Sequence, residues 1–176
     1  EKPKGCLAFL EVMKKLSDNN INYYSLILGS GSMFHKMESY IINNNLDNNV
    51  NLVGPVVNSN MHHYYNISDI YIHLYIWASL TNTMLEALSA GNAIALISKS
   101  NTTNVGQFSD QLISNYIQFD RNNIIIDLFN QLSNILHDNE AISQLKTSSN
   151  LTATKHLYSW NKRITQEINL FKRYIL

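Results

Sequence analysis

Little in this sequence marks a specialised chain. One cysteine, Cys6, leaves no means of building an internal disulfide or a cysteine-based zinc site, and the reducing cytoplasm is the expected compartment. No run of roughly 18 apolar residues is present, so no segment is expected to span a membrane. The opening Glu1-Lys2-Pro3-Lys4-Gly5 lacks the charged-then-apolar layout of a secretory signal. Neither sign of charge is in excess. Thirteen Lys+Arg against thirteen Asp+Glu give a formal net charge of zero, which argues against a nucleic-acid partner, whose binding domain should look basic. A Gly-x-Ser-x-Gly turn and a Cys/His pairing are also missing, so nothing suggests a covalent nucleophile.

What is there is an Asn- and Ile-rich chain of ordinary globular composition. The 176 residues are 45% hydrophobic, enough for one domain with a sizeable core. Asn occurs 25 times and Ile 20 times against two Pro and six Gly, the bias of an A/T-rich genome. Clusters such as Asn43-Asn44-Asn45 are expected at turns and helix ends, where Asn tolerates a left-handed backbone. Three Asn-x-Ser/Thr triplets, at Asn66, Asn101 and Asn150, follow from the same abundance and say nothing about glycosylation.

Apolar spacing predicts alternating elements. Helices are expected from Gly5 to Ser17, from about Met33 to Ile41, over Asn60–Asn66 and over Thr83–Ala90. Strands are expected at Tyr23–Leu28, Asn49–Val53, Asp69–Ile76 and Asn92–Ser98, with a weaker one at Tyr116–Phe119. Helices near 123–137, 139–156 and 160–174 close the chain. The run AIALI at Ala93–Ile97 is apolar on both faces, as a parallel sheet covered on both sides requires. The fold class is therefore α/β, a Rossmann-like doubly wound parallel sheet flanked by helices. Because the pattern opens on a helix, the first strand of such a sheet is expected to be missing, as in a piece cut from a longer protein. Ligands of such sheets sit at the carboxyl ends of the strands, near helix N-termini.

Several residues could carry chemistry there. Gly29-Ser30-Gly31 allows a phosphate to approach the backbone, but Phe34 stands where the dinucleotide fingerprint needs a third glycine, so a plain tight turn explains it equally. Adjacent His62 and His63 should diverge by about 100° on a helix and not share a metal, and His35, His73, His137 and His156 have no ligand partner in sequence; no metal site is expected. The informative stretch is Ile76–Gly91. A helix beginning there, with Asn82 or Thr83 as N-cap, offers free N–H groups to an anion such as a pyrophosphate. Glu86, one turn in, could accept hydrogen bonds from a pair of hydroxyls. It could equally be a solvated acid that offsets the helix dipole.

The sequence LEALSAGNAIALI at Leu85–Ile97 resembles the donor-site signature of the group 1 (family 4-like) glycosyltransferases, which have the two-domain GT-B fold. Further segments resemble that family in order: Lys4-Gly5 its KG element, Tyr24–Gly31 its strand and glycine turn, Val50–Val56 the next strand and turn, Tyr64–Ile70 the segment ending in Asp-Ile, and Tyr158–Arg163 the s-W element. The resemblance implies that residues 1–176 are the C-terminal, nucleotide-sugar-binding domain of a longer protein. It also implies that residues 160–176 are a terminal helix packing on an absent N-terminal domain, with Ile164, Ile168 and Phe171 as an exposed apolar strip.

By the same resemblance, Glu86 matches the second acid of an E-x7-E motif and would bind the donor ribose. Leu80, Thr81, Asn82 and Thr83 would hold the diphosphate and sugar, Lys4 would neutralise the leaving diphosphate, and Val56, with Val57 beside it, would flank the base. A cation and a helix N-terminus would stabilise the leaving nucleotide without a metal or any other cofactor. Ala78 replaces the first acid of the motif, and Ser79 and Thr81 replace its glycines. The implied function is transfer of a hexose from a nucleotide-diphosphate donor to a glycan or lipid-linked acceptor held by the N-terminal domain, with retained configuration. The isolated chain would then be inactive, and the full-length protein would work in the cytoplasm or peripherally at the inner face of the membrane. Ala78 keeps a non-catalytic sugar-nucleotide or glycan-binding module open as the alternative. An epimerase or a redox enzyme on the same scaffold lacks the residues it would need.

Overall fold

The computed structural model describes residues 5–74, 81–97, 116–120 and 122–157, with the helical positions 162, 164, 165, 167–169 and 172. Helix α1 (Cys6–Asp18) buries Leu10, Val12, Met13 and Leu16. It starts from Gly5, whose φ of 66° is left-handed. Strand β1 (Ser25–Leu28), helix α2 (Phe34–Asn43) and strand β2 (Val50–Gly54) follow. A 3-10 turn at Asn58–Asn60 leads into α3 (Met61–Ile67), then β3 (Ile70–His73), α4 (Asn82–Ser89) and β4 (Ala93–Ile97). Strand β5 (Ile117–Phe119) and helices α5 (Ile124–Ile135) and α6 (Asn139–His156) come next among the described residues. Asparagine punctuates as expected: Asn20 and Asn45, just past α1 and α2, are the non-glycine residues with positive φ among the described residues.

Every strand pairing among the described residues is parallel. β1 pairs with β2, Ser25 opposite Val50, and β4 lies between β3 and β5, Ala95 opposite both Ile72 and Ile117. The sheet thus comes as two ladders, β1-β2 and β3-β4-β5.

Both faces are covered. Ala93 and Ala95 of β4, with Ile70 and Ile72 of β3, face a core built with α1, α2 and α5. Ile94 and Leu96 point the other way, onto Tyr65 of α3 and Met84, Ala87 and Leu88 of α4, with Tyr71 beside them. AIALI is apolar on both sides because helices cover both sides. The second face carries the residues of interest.

Candidate functional site

Helix α4 is an eight-residue helix whose apolar side, Met84, Ala87 and Leu88, is buried against β4. That burial fixes which residues are left at its outer edge: Asn82 and Thr83 are exposed and Glu86 is half-buried. The N-cap is neither Asn82 nor Thr83, as the sequence suggested, but Thr81. Its φ and ψ of −91° and 155° are extended, and its hydroxyl accepts from the Met84 N–H at 3.3 Å. All three residue types cap well, and where the helix begins decides among them. Gly91 (φ 78°) ends α4, and its N–H donates to the Leu88 carbonyl at 3.0 Å.

A chain of hydroxyl groups runs along the start of α4. The Tyr71 phenol, reaching over from β3, donates to Thr83 Oγ1 at 3.0 Å, and Thr83 Oγ1 lies 3.0 Å from Thr81 Oγ1. Thr81 also bonds to the Tyr71 phenol, so the three hydroxyls form one cluster at the start of α4. The N–H groups of Asn82 and Thr83 meet no acceptor among the described residues. Tyr71 also stands 3.4 Å from Nδ1 of His73, and the two rings lie stacked with centroids 6.1 Å apart. Burial raises the Tyr71 pKa, an effect partly offset by its hydrogen bond to Thr83, and burial lowers that of His73, which favours a neutral imidazole.

One turn further along, Glu86 is held from the other side. The Tyr65 phenol donates to Glu86 Oε2 at 3.0 Å, and Oε1 has no partner among the described residues. Burial, and then the hydrogen bond and negative charge of Glu86, push the Tyr65 pKa far up, so the phenol stays protonated. Tyr65 is itself 7% exposed, its ring edge-on to Tyr71 at 6.2 Å. Its backbone carbonyl accepts from Asn92 Nδ2 at 2.8 Å, and the same amide donates to the Ser68 carbonyl. The buried side chain of Asn92, at the start of β4, thereby ties down the end of α3.

Thr81, Asn82, Thr83 and Glu86 are brought together on one edge. Val56 is half-buried in the turn after β2, with Val57 65% exposed beside it. Lys4, Ala78, Ser79, Leu80, Phe171 and most of the s-W element lie outside the described residues. Gly5, next to Lys4, does have a fixed neighbour: a Cβ built on it would stand 3.1 Å from Leu74 Cβ, at the carboxyl end of β3. Gly29, with φ 117°, donates its N–H to the Gly54 carbonyl at 2.7 Å, and a Cβ on Gly29 or Gly31 would meet nothing within 4 Å. His62 and His63 do not diverge as a helix step suggests; their ring centroids are 3.8 Å apart. Ile164 and Ile168 are each 47% exposed.

Tyr65, Tyr71 and Asn92 escape a reading of sequence spacing, since their partners are 21, 12 and 27 residues away.

A parallel sheet covered on both faces, with helices crossing between its strands, defines a doubly wound α/β domain. Residues 1–151 match the family described as Glycosyl transferases group 1, and the chain belongs to that family. An uncharacterised glycosyltransferase of Methanocaldococcus jannaschii is 31% identical over 86 residues, which is 49% of this chain and 21% of that protein. The C-terminal domain of a group 1 family glycosyl transferase from Francisella tularensis superposes with a TM-score of 0.71 at 13% identity, over 89% of this chain and 80% of that one. Anabaena HepE, solved in complex with UDP and glucose, superposes at 0.74 and 12% identity over 96% of this chain. The chain spans 45% of HepE, so it has the extent of one half of a GT-B protein.

Proposed function

We propose that this chain is the donor-binding half of a glycosyltransferase that moves a hexose from a nucleotide-diphosphate donor to an acceptor held by a second domain. The observation that carries this reading is the edge of α4: first-turn N–H groups with no acceptor among the described residues, the Thr81 and Thr83 hydroxyls beside them, and the half-buried Glu86 carboxylate one turn deeper. Donors at a helix start suit the oxygens of a diphosphate, and a carboxylate with a spare oxygen suits a ribose diol. HepE, a structural neighbour, was solved with UDP and glucose, which makes a uridine nucleotide the first ligand to try.

In this reading the bond between the anomeric carbon and the diphosphate oxygen breaks and its electron pair leaves on the diphosphate, while an acceptor hydroxyl oxygen bonds to that carbon and its proton passes to the departing diphosphate. The α4 N–H groups, together with Lys4, stabilise the charge on the diphosphate. Gly5 against Leu74 supports the part given to Lys4, since it brings the chain to the carboxyl end of β3. Val56 flanks the base, and Leu80 and Asn82 complete the cradle. The residues proposed for these roles need no metal or other cofactor, and transfer proceeds with retention. Residues 160–176 pack on the acceptor domain, a part for which the exposed Ile164 and Ile168 are suited. A glycan or lipid-linked acceptor would bring the full-length protein to the cytoplasmic membrane face.

Calorimetry of the full-length protein with UDP, GDP and ADP tests the site. One of the three binds, and Glu86→Ala weakens it by about 10-fold, the worth of a hydrogen bond to a charged group. An unchanged affinity in Glu86→Ala overturns the assignment. Ala78, in place of the motif's first acid, favours a second reading, a module that binds the nucleotide sugar without transferring it. Binding without turnover of the donor by the full-length protein would select that reading.

A further inference from the structure

The Glu86 carboxylate is not left to find its own position. It ends a side chain with three rotatable bonds, and ordering such a chain on binding costs entropy. Here one oxygen, Oε2, already accepts from the Tyr65 phenol at 3.0 Å, while Oε1 has no partner among the described residues. Tyr65 is well fixed in turn. Its ring is buried between α3 and α4 and edge-on to Tyr71, and its carbonyl is held by Asn92. The link therefore runs from the start of β4, through α3, to the carboxylate on α4.

We infer that Tyr65 is a positioning residue for ribose recognition: its phenol fixes the Glu86 carboxylate so that Oε1 meets a diol with no reorganisation. The inference rests on the reading of Glu86 given above. A protonated phenol can only donate to the carboxylate, so it orients Glu86 without competing for the hydroxyl protons of a ligand. The ordering cost is met on folding rather than on binding. Tyr65 touches the ligand nowhere in this scheme and acts only through Glu86.

A ratio separates this from a general loss of structure. The full-length protein is titrated with UDP, GDP and ADP, and the one that binds tightest is compared with its 2′-deoxy counterpart. The wild type prefers the ribonucleotide by about 10-fold, and Glu86→Ala abolishes the preference. Tyr65→Phe keeps the ring and lowers the preference at least about threefold, mainly by weakening the ribonucleotide. A merely structural role would weaken both nucleotides alike and leave the ratio standing. In the Glu86→Ala background, Tyr65→Phe changes the ratio no further. A full preference in Tyr65→Phe alongside a lost one in Glu86→Ala overturns the inference and leaves the site reading intact. Failure of the wild type to bind any of the three nucleotides, or an unchanged ratio in Glu86→Ala, overturns the site reading and the inference with it.

Discussion

Among single residues, His73 shows how burial in this sheet becomes a solution property. It is 8% exposed at the end of β3, and burial lowers its pKa. The unfolded chain then takes up protons more readily than the folded one below the ordinary imidazole value of about 6.5. Its contribution to stability is complete above that pH and is lost as the pH falls through it. Thermal unfolding between pH 7.5 and 5.5 should show the midpoint dropping with acid, and His73→Phe should flatten that drop. An equal slope in the variant would place the effect on other groups. Glu86 was legible in the sequence as an acid one turn into a helix beside a glycine stop. Its partner was not, because a phenol 21 residues upstream leaves no local signature.

Among elements, the join between α3 and β4 matters most. Asn92 donates to two carbonyls, those of Tyr65 and Ser68, from a site 1% exposed. Asn92→Leu would leave both carbonyls buried without that donor, at a cost of about 2–5 kcal/mol read from urea unfolding. A loss under 1 kcal/mol would mean that water reaches them. The elements themselves were largely readable. Apolar spacing at three and four places α1 and α2, and the run AIALI gives β4, because helix and strand periods differ and both faces of this sheet are buried. Boundaries were harder: β3 covers Ile70–His73 and Leu74 already lies past it, while the last two residues of the strand expected over Asp69–Ile76 lie outside the described residues. β-branched and aromatic content marks a strand's existence better than its end.

For the whole molecule, the fold was legible because six segments of one family stand in order, which no single spacing could establish. Of the candidate site only the helix was legible, since what orients the helix's polar edge comes from α3 and β3. The proposed acceptor side belongs to a second domain, so the 176-residue chain should show no donor turnover by itself while the full-length protein does. A radiolabelled-donor assay on both would check it, and turnover by the short chain would place the whole active site in this half.

The division of the sheet into two ladders has a mechanical side. Among the described residues, no main-chain hydrogen bond ties β1 to β3; Ile27 and Leu52 of one ladder and Ile70 and Ile72 of the other belong to one apolar core. Where a ladder fixes one register by directed bonds, an apolar core is non-directional, so packing alone sets how the two ladders meet.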